Sequence, residues 1–458
     1  MKIIICGAGQ VGRGIAGKLA AEDNAVTVID TSPELVHAIS DELDVQGIIG
    51  HGSHPDILEK AGAAEADMLI AVTYTDEVNM MACEVANAIF NIPTKIARVR
   101  DQSYLDGQYS ALFSRENTAI DVVISPEIAV GDMVLRRLAL PGAMEAVYFA
   151  EGRIVALGIK LLEDCPILDT PLSQLAELFP DLEAVVVGIS RRGGIFVPHI
   201  SDQMEAGDIV FVIAAKDSAQ RTLNLFGHEE PAARNIVLGG GGNVGHYVAR
   251  SLEEVQPGVH VRIIEQDRKR AEKIADDLQK AIILHGSALD SEILHEADIE
   301  RADVYIALTN DDKVNLLSAL LARQEGAAQT MSLISTLEAA PLAGPLGIDS
   351  WIDPRAVTVA EILQHVRRGR IRGVYPVLDG KAEIVEAEAL ETSPVIGKKL
   401  RDAEIPDGVR IGAIVRGDDV FVATGDTEIR AGDLVVMFAL ADKADDIQRL
   451  FRVSLEYF

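Results

Sequence analysis

The sequence predicts an α/β protein in which two doubly wound domains alternate with two smaller α+β domains. The chain has 458 residues, which suggests about three domains, with two to four plausible. Apolar residues make up 48% of the chain and aromatic residues only 4%, a mixture that favours layered α/β structure over a β-sandwich. The third observation is that the second half of the chain repeats the first.

The repeat is visible in several blocks. "CGAGQVG" at 6–12 recurs as "GGGGNVG" at 239–245. "ADMLIAVTYTDEVNM" at 66–80 recurs as "ADVYIALTNDDKVNL" at 302–316, with 8 of 15 positions identical. The spacing is far longer than the repeat of a solenoid, so these blocks indicate one duplicated module.

Within the first copy, strand-like and helix-like segments alternate. The segments predicted as strands are "KIIIC", "AVTVID", "VQGII", "MLIAVT", "KIARVR" and "DVVIS". The segments predicted as helices are "QVGRGIAGKLAAE", "PELVHAIS" and "DEVNMMACEVANAIF". The strands are nearly apolar on both faces, as buried parallel strands are, and right-handed crossovers between them give a doubly wound sheet.

A second kind of unit follows each copy, at 165–214 and 393–439. Both contain Pro, a short Leu-containing segment predicted as a helix, an apolar strand, a charged turn with Gly, another strand, and then Ala-Gly-Asp before a last strand. This order predicts a small β-rich domain. The predicted domains are 1–140, 141–227, 234–368 and 369–458.

The first glycine block has the context of a dinucleotide-binding loop. It reads Gly7, Ala8, Gly9, Gln10, Val11, Gly12 between a strand and a helix, and Asp30 lies at the end of the next strand, 23 residues after Gly7. Gly7 allows the tight turn, Gly9 lets a pyrophosphate approach the helix N-terminus, and Gly12 lets the helix pack on the sheet. Asp30 would accept hydrogen bonds from the adenosine ribose and repel a 2′-phosphate, so NAD is favoured over NADP.

The second copy supports the same interpretation with small changes. Its loop contains Gly239, Gly240, Gly241, Gly242, Asn243, Val244 and Gly245. Glu265 is the corresponding acid, 25 residues after Gly240, and Asn243 replaces Gln10.

Residues after two further strands should close on the ligand, because ligands of doubly wound sheets lie beyond the carboxyl ends of the strands. Thr73 and its equivalent Thr309 follow the fourth strand, with Tyr74 and Asn310 beside them. An ordinary helix-capping role for Thr73 is about equally favoured. Arg98, with Arg100 close by, ends the fifth strand and suits a phosphate. The corresponding "TMSLIS" has no arginine, so the second site is expected to be weaker or differently selective.

Other functions are disfavoured by composition and spacing. The net charge of −29 argues against nucleic acid as a partner. His51 and His54 lack the neighbours of a metal site, and we expect no metal. Glu127 after "SP" favours helix capping over a reach to a neighbouring chain's nucleotide. We find no apolar run long enough for a bilayer, no signal peptide and no catalytic motif.

The chain resembles the tandem RCK proteins over essentially its whole length, through GAGQVG and GGGGNVG, VID and IIE, the 15-residue block, KIARVR and both Ala-Gly-Asp strands. The resemblance implies two Rossmann-like RCK-N domains that bind NAD(H) or the adenine nucleotides ATP and ADP. It also implies two RCK-C domains that sense ligands or support assembly. Its implied partners are copies of the same chain, as a tetrameric ring, and a K⁺-translocating integral membrane subunit of the Trk type.

The resemblance therefore implies a regulatory subunit that is not an enzyme and that lies in the cytoplasm, peripheral to the inner membrane through its partner. The implied first site contains Gly7, Gly9, Gln10, Val11, Asp30, Thr73 and Arg98. The implied second site contains Gly240, Gly242, Asn243, Glu265 and Thr309. Two alternatives stay open: an NAD-dependent oxidoreductase, and a soluble nucleotide sensor with no membrane partner.

Overall fold

The computed structural model describes residues 1–22, 24–105, 107–114, 117–179, 181–255, 258–336, 339–366, 371–378 and 380–451. The chain forms two compact units. One contains Met1–Val134 and Arg234–Val366, and the other contains Leu135–Ala233 and Arg367–Phe458. Across the described part of the chain, every helix is too short or too polar to cross a lipid bilayer.

The first copy of the duplicated module is a parallel sheet with strand order β3-β2-β1-β4-β5-β6. Its strands are β1 Lys2–Cys6, β2 Ala25–Asp30, β3 Gln46–Ile49, β4 Met68–Ala71, β5 Thr94–Arg98 and β6 Val122–Ile124. Its helices are α1 Gln10–Ala21, α2 Pro33–Glu42, α3 Pro55–Lys60, α4 Asp76–Ala88, α5 Gln102–Leu105 and α6 Pro126–Ala139. The order reverses beside β1, which opens a crevice at the carboxyl ends of the strands.

The first small domain is an antiparallel sheet with order β10-β9-β11-β8-β7. Its strands are β7 Ala143–Phe149, β8 Ile154–Lys160, β9 Ala184–Arg191, β10 Gly194–Phe196 and β11 Ile209–Ala215, with helices α7 Leu172–Leu178 and α8 Ala219–Leu225. The Ala-Gly-Asp motif has a structural purpose here. Asp208 is almost fully buried and accepts hydrogen bonds from Nε and Nη2 of Arg191 at 2.9 and 2.7 Å. The pair fixes the turn before β11 to β9.

The second copy of the module repeats the sheet order, as β14-β13-β12-β15-β16-β17. Its strands are β12 Asn235–Gly239, β13 His260–Glu265, β14 Ile282–His285, β15 Val304–Ala307, β16 Gln329–Leu333 and β17 Ser350–Ile352. Its helices are α9 Asn243–Val255, α10 Arg268–Asp277, α11 Ser291–Glu296, α12 Asp312–Gln324 and α13 Pro354–Val366.

One hydrophobic core contains residues of both large domains. Val359, Ile362 and Leu363 of α13 are buried among residues of the first copy, including Ile15 and Leu19 of α1. Side chains of α13, the last helix of the second copy, thus complete a core of the first copy. Both large domains, with their crevices, belong to one compact unit.

The second small domain has the order β18-β19-β22-β20-β21. Its elements are β18 Ile371–Val377, β19 Ala382–Glu388, β20 Val409–Arg416, β21 Asp419–Val422, β22 Leu434–Leu440 and α14 Ala444–Phe451. Its Ala-Gly-Asp motif repeats the first: Asp433 is buried and accepts from Arg416 at 2.8 and 2.7 Å. The two small sheets share a core in which the rings of Phe211 and Phe438 lie 5.7 Å apart.

The predicted fold class is confirmed: two doubly wound domains alternate with two small antiparallel domains. One detail is wrong. The segment before β20 was expected to contain a short helix like α7, but residues 393–405 form turns joined to 428–429 by bridges at Ile396 and Lys399. These bridges take backbone groups that a helix would use. The predicted boundary at 368 and 369 and the last seven residues lie outside the described part of the chain.

Candidate functional site

The first glycine loop joins β1 to α1, and each glycine has a distinct environment. Gly7 has φ +114°, a left-handed value that side chains rarely adopt. A Cβ on Gly12 would lie 1.9 Å from the carbonyl oxygen of Gly7, whereas a Cβ on Gly9 would meet nothing within 4 Å. Gly7 and Gly12 are therefore required by the turn itself, while the space beside Gly9, at the start of α1, is open.

The second loop repeats this geometry. Gly240 has φ +118°, and a Cβ on Gly245 would lie 2.1 Å from the carbonyl oxygen of Gly240. Gly242, like Gly9, faces open space. Gly239 has its own reason to be glycine, because a Cβ there would lie 2.0 Å from the buried hydroxyl oxygen of Tyr305. The remaining predicted residues flank these glycines: Ala8, Gln10 and Val11 in the first loop, and Gly241, Asn243 and Val244 in the second.

The two acids are tied to the glycine loops. Asp30 accepts from the backbone N–H of Ala8 at 2.7 Å with one oxygen and from that of Ser32 at 2.9 Å with the other. Glu265 does the same with Gly241 at 2.9 Å and Asp267 at 2.8 Å. A carboxylate oxygen can accept more than one hydrogen bond, so both acids keep capacity for a ribose hydroxyl.

Thr73 lies two residues after β4 and is held by a residue that sequence reasoning missed, Asn79 of α4. The Asn79 side-chain oxygen accepts from the Thr73 backbone N–H at 2.8 Å and from its hydroxyl at 2.7 Å. The Asn79 amide donates to the carbonyl oxygens of Thr73 at 3.1 Å and Arg98 at 2.9 Å. Asn79 is fully buried, so this one side chain fixes the ends of β4 and β5 at the edge of the crevice.

The same arrangement exists in the second copy. Asn315 accepts from the N–H and hydroxyl of Thr309 at 2.9 and 2.6 Å and donates to the carbonyls of Thr309 at 2.9 Å and Leu333 at 3.0 Å. Both asparagines are identical positions of the 15-residue repeat. That identity was the signal that could have revealed them.

A charged cluster lies at the edge of the first crevice. Arg98 donates through Nη2 to the Thr73 carbonyl at 2.7 Å, and burial lowers the pKa of Arg98. The Nε of Arg100 donates to Glu127 at 2.9 Å, and its guanidinium lies 5.4 Å from the ring centre of Tyr74, which is 83% exposed. Glu127 was predicted to favour a capping role; its carboxylate instead pairs with Arg100.

The second crevice has different charges at the matching places. Leu333 ends β16 where Arg98 ends β5, and Asn310 follows Thr309 where Tyr74 follows Thr73. Arg355, at the position of Glu127, supplies a cation that pairs with Asp353 at 3.3 Å. The end of β16 therefore lacks the arginine that ends β5, and the arginine at the start of α13 is paired with an aspartate.

The histidine pair does not have the surroundings of a metal site. His51 contacts the Ser53 hydroxyl at 2.9 Å through Nδ1 and stacks on His54 with ring centres 4.6 Å apart. Among the described residues, no group of three or more His, Cys, Asp or Glu side chains is arranged to hold a metal ion.

Known proteins give a consistent classification. The TrkA-N domain family matches residues 3–126 and 236–354, and the TrkA-C domain family matches 157–227 and 384–452. The Trk system potassium uptake protein TrkA of Azorhizobium caulinodans is 53% identical over 458 residues, covering 100% of both chains. The TrkA of Halomonas elongata is 39% identical, again over 100% of both chains.

Solved structures show the same fold. The crystal structure of the GsuK RCK domain matches with a TM-score of 0.60 and 16% identity, over 98% of this chain and 94% of that one. The GsuK channel bound to NAD matches with a TM-score of 0.60 and 16% identity, over 98% and 78%. The chain thus belongs to the TrkA family of Trk system potassium uptake proteins, built from alternating TrkA-N and TrkA-C domains.

Proposed function

We propose that this chain is the nucleotide-binding regulatory subunit of a Trk-type potassium uptake system, with NAD(H), ATP or ADP bound in its two crevices. The observation that carries the proposal is the duplicated glycine loop, with its open helix N-terminus and an acid bonded to the loop in each copy. A relative of 53% identity is named a potassium uptake protein, and a channel of similar fold has been solved with NAD.

In the first crevice the pyrophosphate lies against the N-terminus of α1, beside Gly9. Free N–H groups and the helix dipole stabilise its charge there. Asp30 accepts hydrogen bonds from the ribose hydroxyls, and its negative charge disfavours a 2′-phosphate. Thr73 and Arg98 close the far side of the crevice. The exposed ring of Tyr74 lies at the entrance of this crevice.

In the second crevice Gly242 and Glu265 have the corresponding roles, with Thr309 and Asn310 on the far side. Its lower positive charge at the end of β16 makes it the weaker site for a ligand with a terminal phosphate.

Regulation follows from a difference in affinity. The proposed assembly is a homotetrameric ring on the cytoplasmic face of a K⁺-translocating membrane subunit of the TrkH/TrkG type. A nucleotide shifts such a ring only by the ratio of its affinities for the two ring shapes; a shift from 1:99 to 99:1 needs a ratio of about 10⁴. The nucleotide acts as a signal and is not consumed.

Two measurements test this proposal. Calorimetry with NADH, NAD⁺, ATP and ADP on the full chain should give saturable binding, and Gly9→Ala should weaken it. Potassium flux through vesicles holding the membrane subunit should change when chain and nucleotide are added together. If none of the four nucleotides gave a heat of binding, the proposal would be refuted. A steady loss of NADH absorbance with a small carbonyl substrate would instead favour an oxidoreductase.

A further inference from the structure

A cavity of about 440 Å³ lies between the first and second small domains. Its walls are mainly apolar and include Leu175, Phe179, Val186, Ile405 and Ile411. Small-molecule sites typically have volumes of about 300–1,000 Å³ and combine apolar walls with a few placed polar groups. The cavity has the size and the wall chemistry of a ligand site.

One wall carries an arginine without a counter-charge. Arg410 donates through Nη1 to the carbonyl oxygen of Pro198 at 2.7 Å, and no carboxylate of the described residues pairs with it. Burial is the cause that lowers the pKa of Arg410. Arg401, on the same cavity, is by contrast paired with Asp426. A guanidinium has five N–H donors and is costly to desolvate without an anion.

The duplication shows that the fold does not need this charge. Strands β9 and β20 both have eight residues and end in the arginines that pair with the Ala-Gly-Asp motifs. Counted from those ends, Arg410 corresponds to Val185, which also lines the cavity. One copy therefore forms its strand with an apolar side chain where the other places a partly buried cation.

We propose that this cavity binds an apolar monocarboxylate whose carboxylate pairs with the Arg410 guanidinium and whose hydrocarbon chain lies against the apolar walls. A bidentate pair satisfies two of the unused N–H donors and neutralises the charge. A single unpaired cation matches a single negative charge, which distinguishes this ligand from a polyanionic nucleotide. The site lies in a different unit from the glycine loops, so it stands independently of the function proposed for them.

The test uses decanoate on the full chain, by calorimetry below its micellar concentration. We expect one decanoate per chain and a rise in melting temperature. Arg410→Leu should weaken binding by about 10-fold or more, because hydrogen bonds to charged groups contribute about 1.5–3 kcal/mol. The matched control is Arg372→Leu, which removes a guanidinium of the same small domain that pairs with Glu388 away from the cavity; this variant should bind decanoate normally. Decanol, which has the same chain without the charge, should bind far more weakly.

Three results would overturn the proposal: no binding of decanoate, equal binding to the Arg410→Leu variant, or equal binding of decanol. Circular dichroism and gel filtration check that each variant is folded. Ala423→Phe, which fills the cavity and keeps Arg410, provides a second route should Arg410→Leu fail to fold. It should abolish binding, and retained binding would place decanoate elsewhere.

Discussion

Alanine at Gly9 and alanine at Gly12 should have opposite consequences, although the two glycines are three residues apart in one loop. At Gly9 the backbone has φ −67° and ψ −174°, which any residue adopts, and the new Cβ meets no protein atom within 4 Å. We expect the free energy of unfolding to change by less than about 0.5 kcal/mol. The same methyl group occupies the space beside the start of α1, where the pyrophosphate is proposed to lie.

At Gly12 the new Cβ would lie 1.9 Å from the Gly7 carbonyl oxygen, about 1.5 Å closer than the 3.4 Å at which ordinary contact begins. The loop cannot move freely, because the N–H of Gly7 donates to the Ile29 carbonyl at 2.7 Å and that of Ala8 to Asp30 at 2.7 Å. Overpacking of this kind costs about 1–3 kcal/mol or more. Gly12→Ala should therefore lower the melting temperature by several degrees.

The two variants are compared by thermal melting and by NADH calorimetry. Gly9→Ala should melt like the parent chain and bind about 10- to 100-fold more weakly, because the methyl group holds the pyrophosphate away from an N–H group of the helix N-terminus and a hydrogen bond to a charged group contributes about 1.5–3 kcal/mol. The reasoning about the turn fails if Gly12→Ala is as stable as Gly9→Ala. The reasoning about the phosphate fails if Gly9→Ala binds NADH as tightly as the parent chain.

Three further predictions concern residues other than the loop glycines. Asn79→Ala leaves buried polar groups at the ends of β4 and β5 without hydrogen-bond partners, and it should lower the free energy of unfolding by about 3 kcal/mol in urea titrations. A loss under 1 kcal/mol would contradict the role given to this residue. Asp208→Ala leaves Arg191 without its bidentate partner and should lower the free energy of unfolding by about 2 kcal/mol, measured in the same way. If Asp208→Asn were as stable as the parent chain, the charge of Asp208 would be unimportant. Burial raises the pKa of the Cys6 thiol from 9.0 to about 12. Cys6 of the folded chain should therefore resist iodoacetamide at pH 8. The free energy of unfolding should fall as pH rises above 9, because only the unfolded Cys6 thiol ionises there. Rapid labelling of Cys6 in the folded chain, seen by mass spectrometry, would refute this.

The sequence predicted the features that depend on neighbouring residues. Glycine spacing predicted the tight turns at Gly7 and Gly240, because only glycine adopts their φ values without strain. Apolar strands and the duplication predicted the parallel sheets. Local patterning was less reliable at residues 393–405, where long-range bridges replaced the expected helix.

The sequence alone did not show which side chains pair when they lie far apart in the chain. Nothing in the spacing of Glu127 shows that it pairs with Arg100, 27 residues earlier, or that Arg355 at the matching position pairs with Asp353. Asn79 has no predicted role in the sequence, although it is an identical position of the repeat. In the structure its four hydrogen bonds connect the ends of two strands.

The sequence by itself determined where the chain turns, which segments are buried and that the module occurs twice, since backbone conformation and hydrophobic periodicity are set by residues close along the chain. Only the tertiary structure decided that α13 completes the core of the first copy, and that Arg410 faces a cavity without an anion. Such contacts join residues that lie far apart in the chain. Their energies depend on distance, burial and counter-charge, which are properties of the folded molecule.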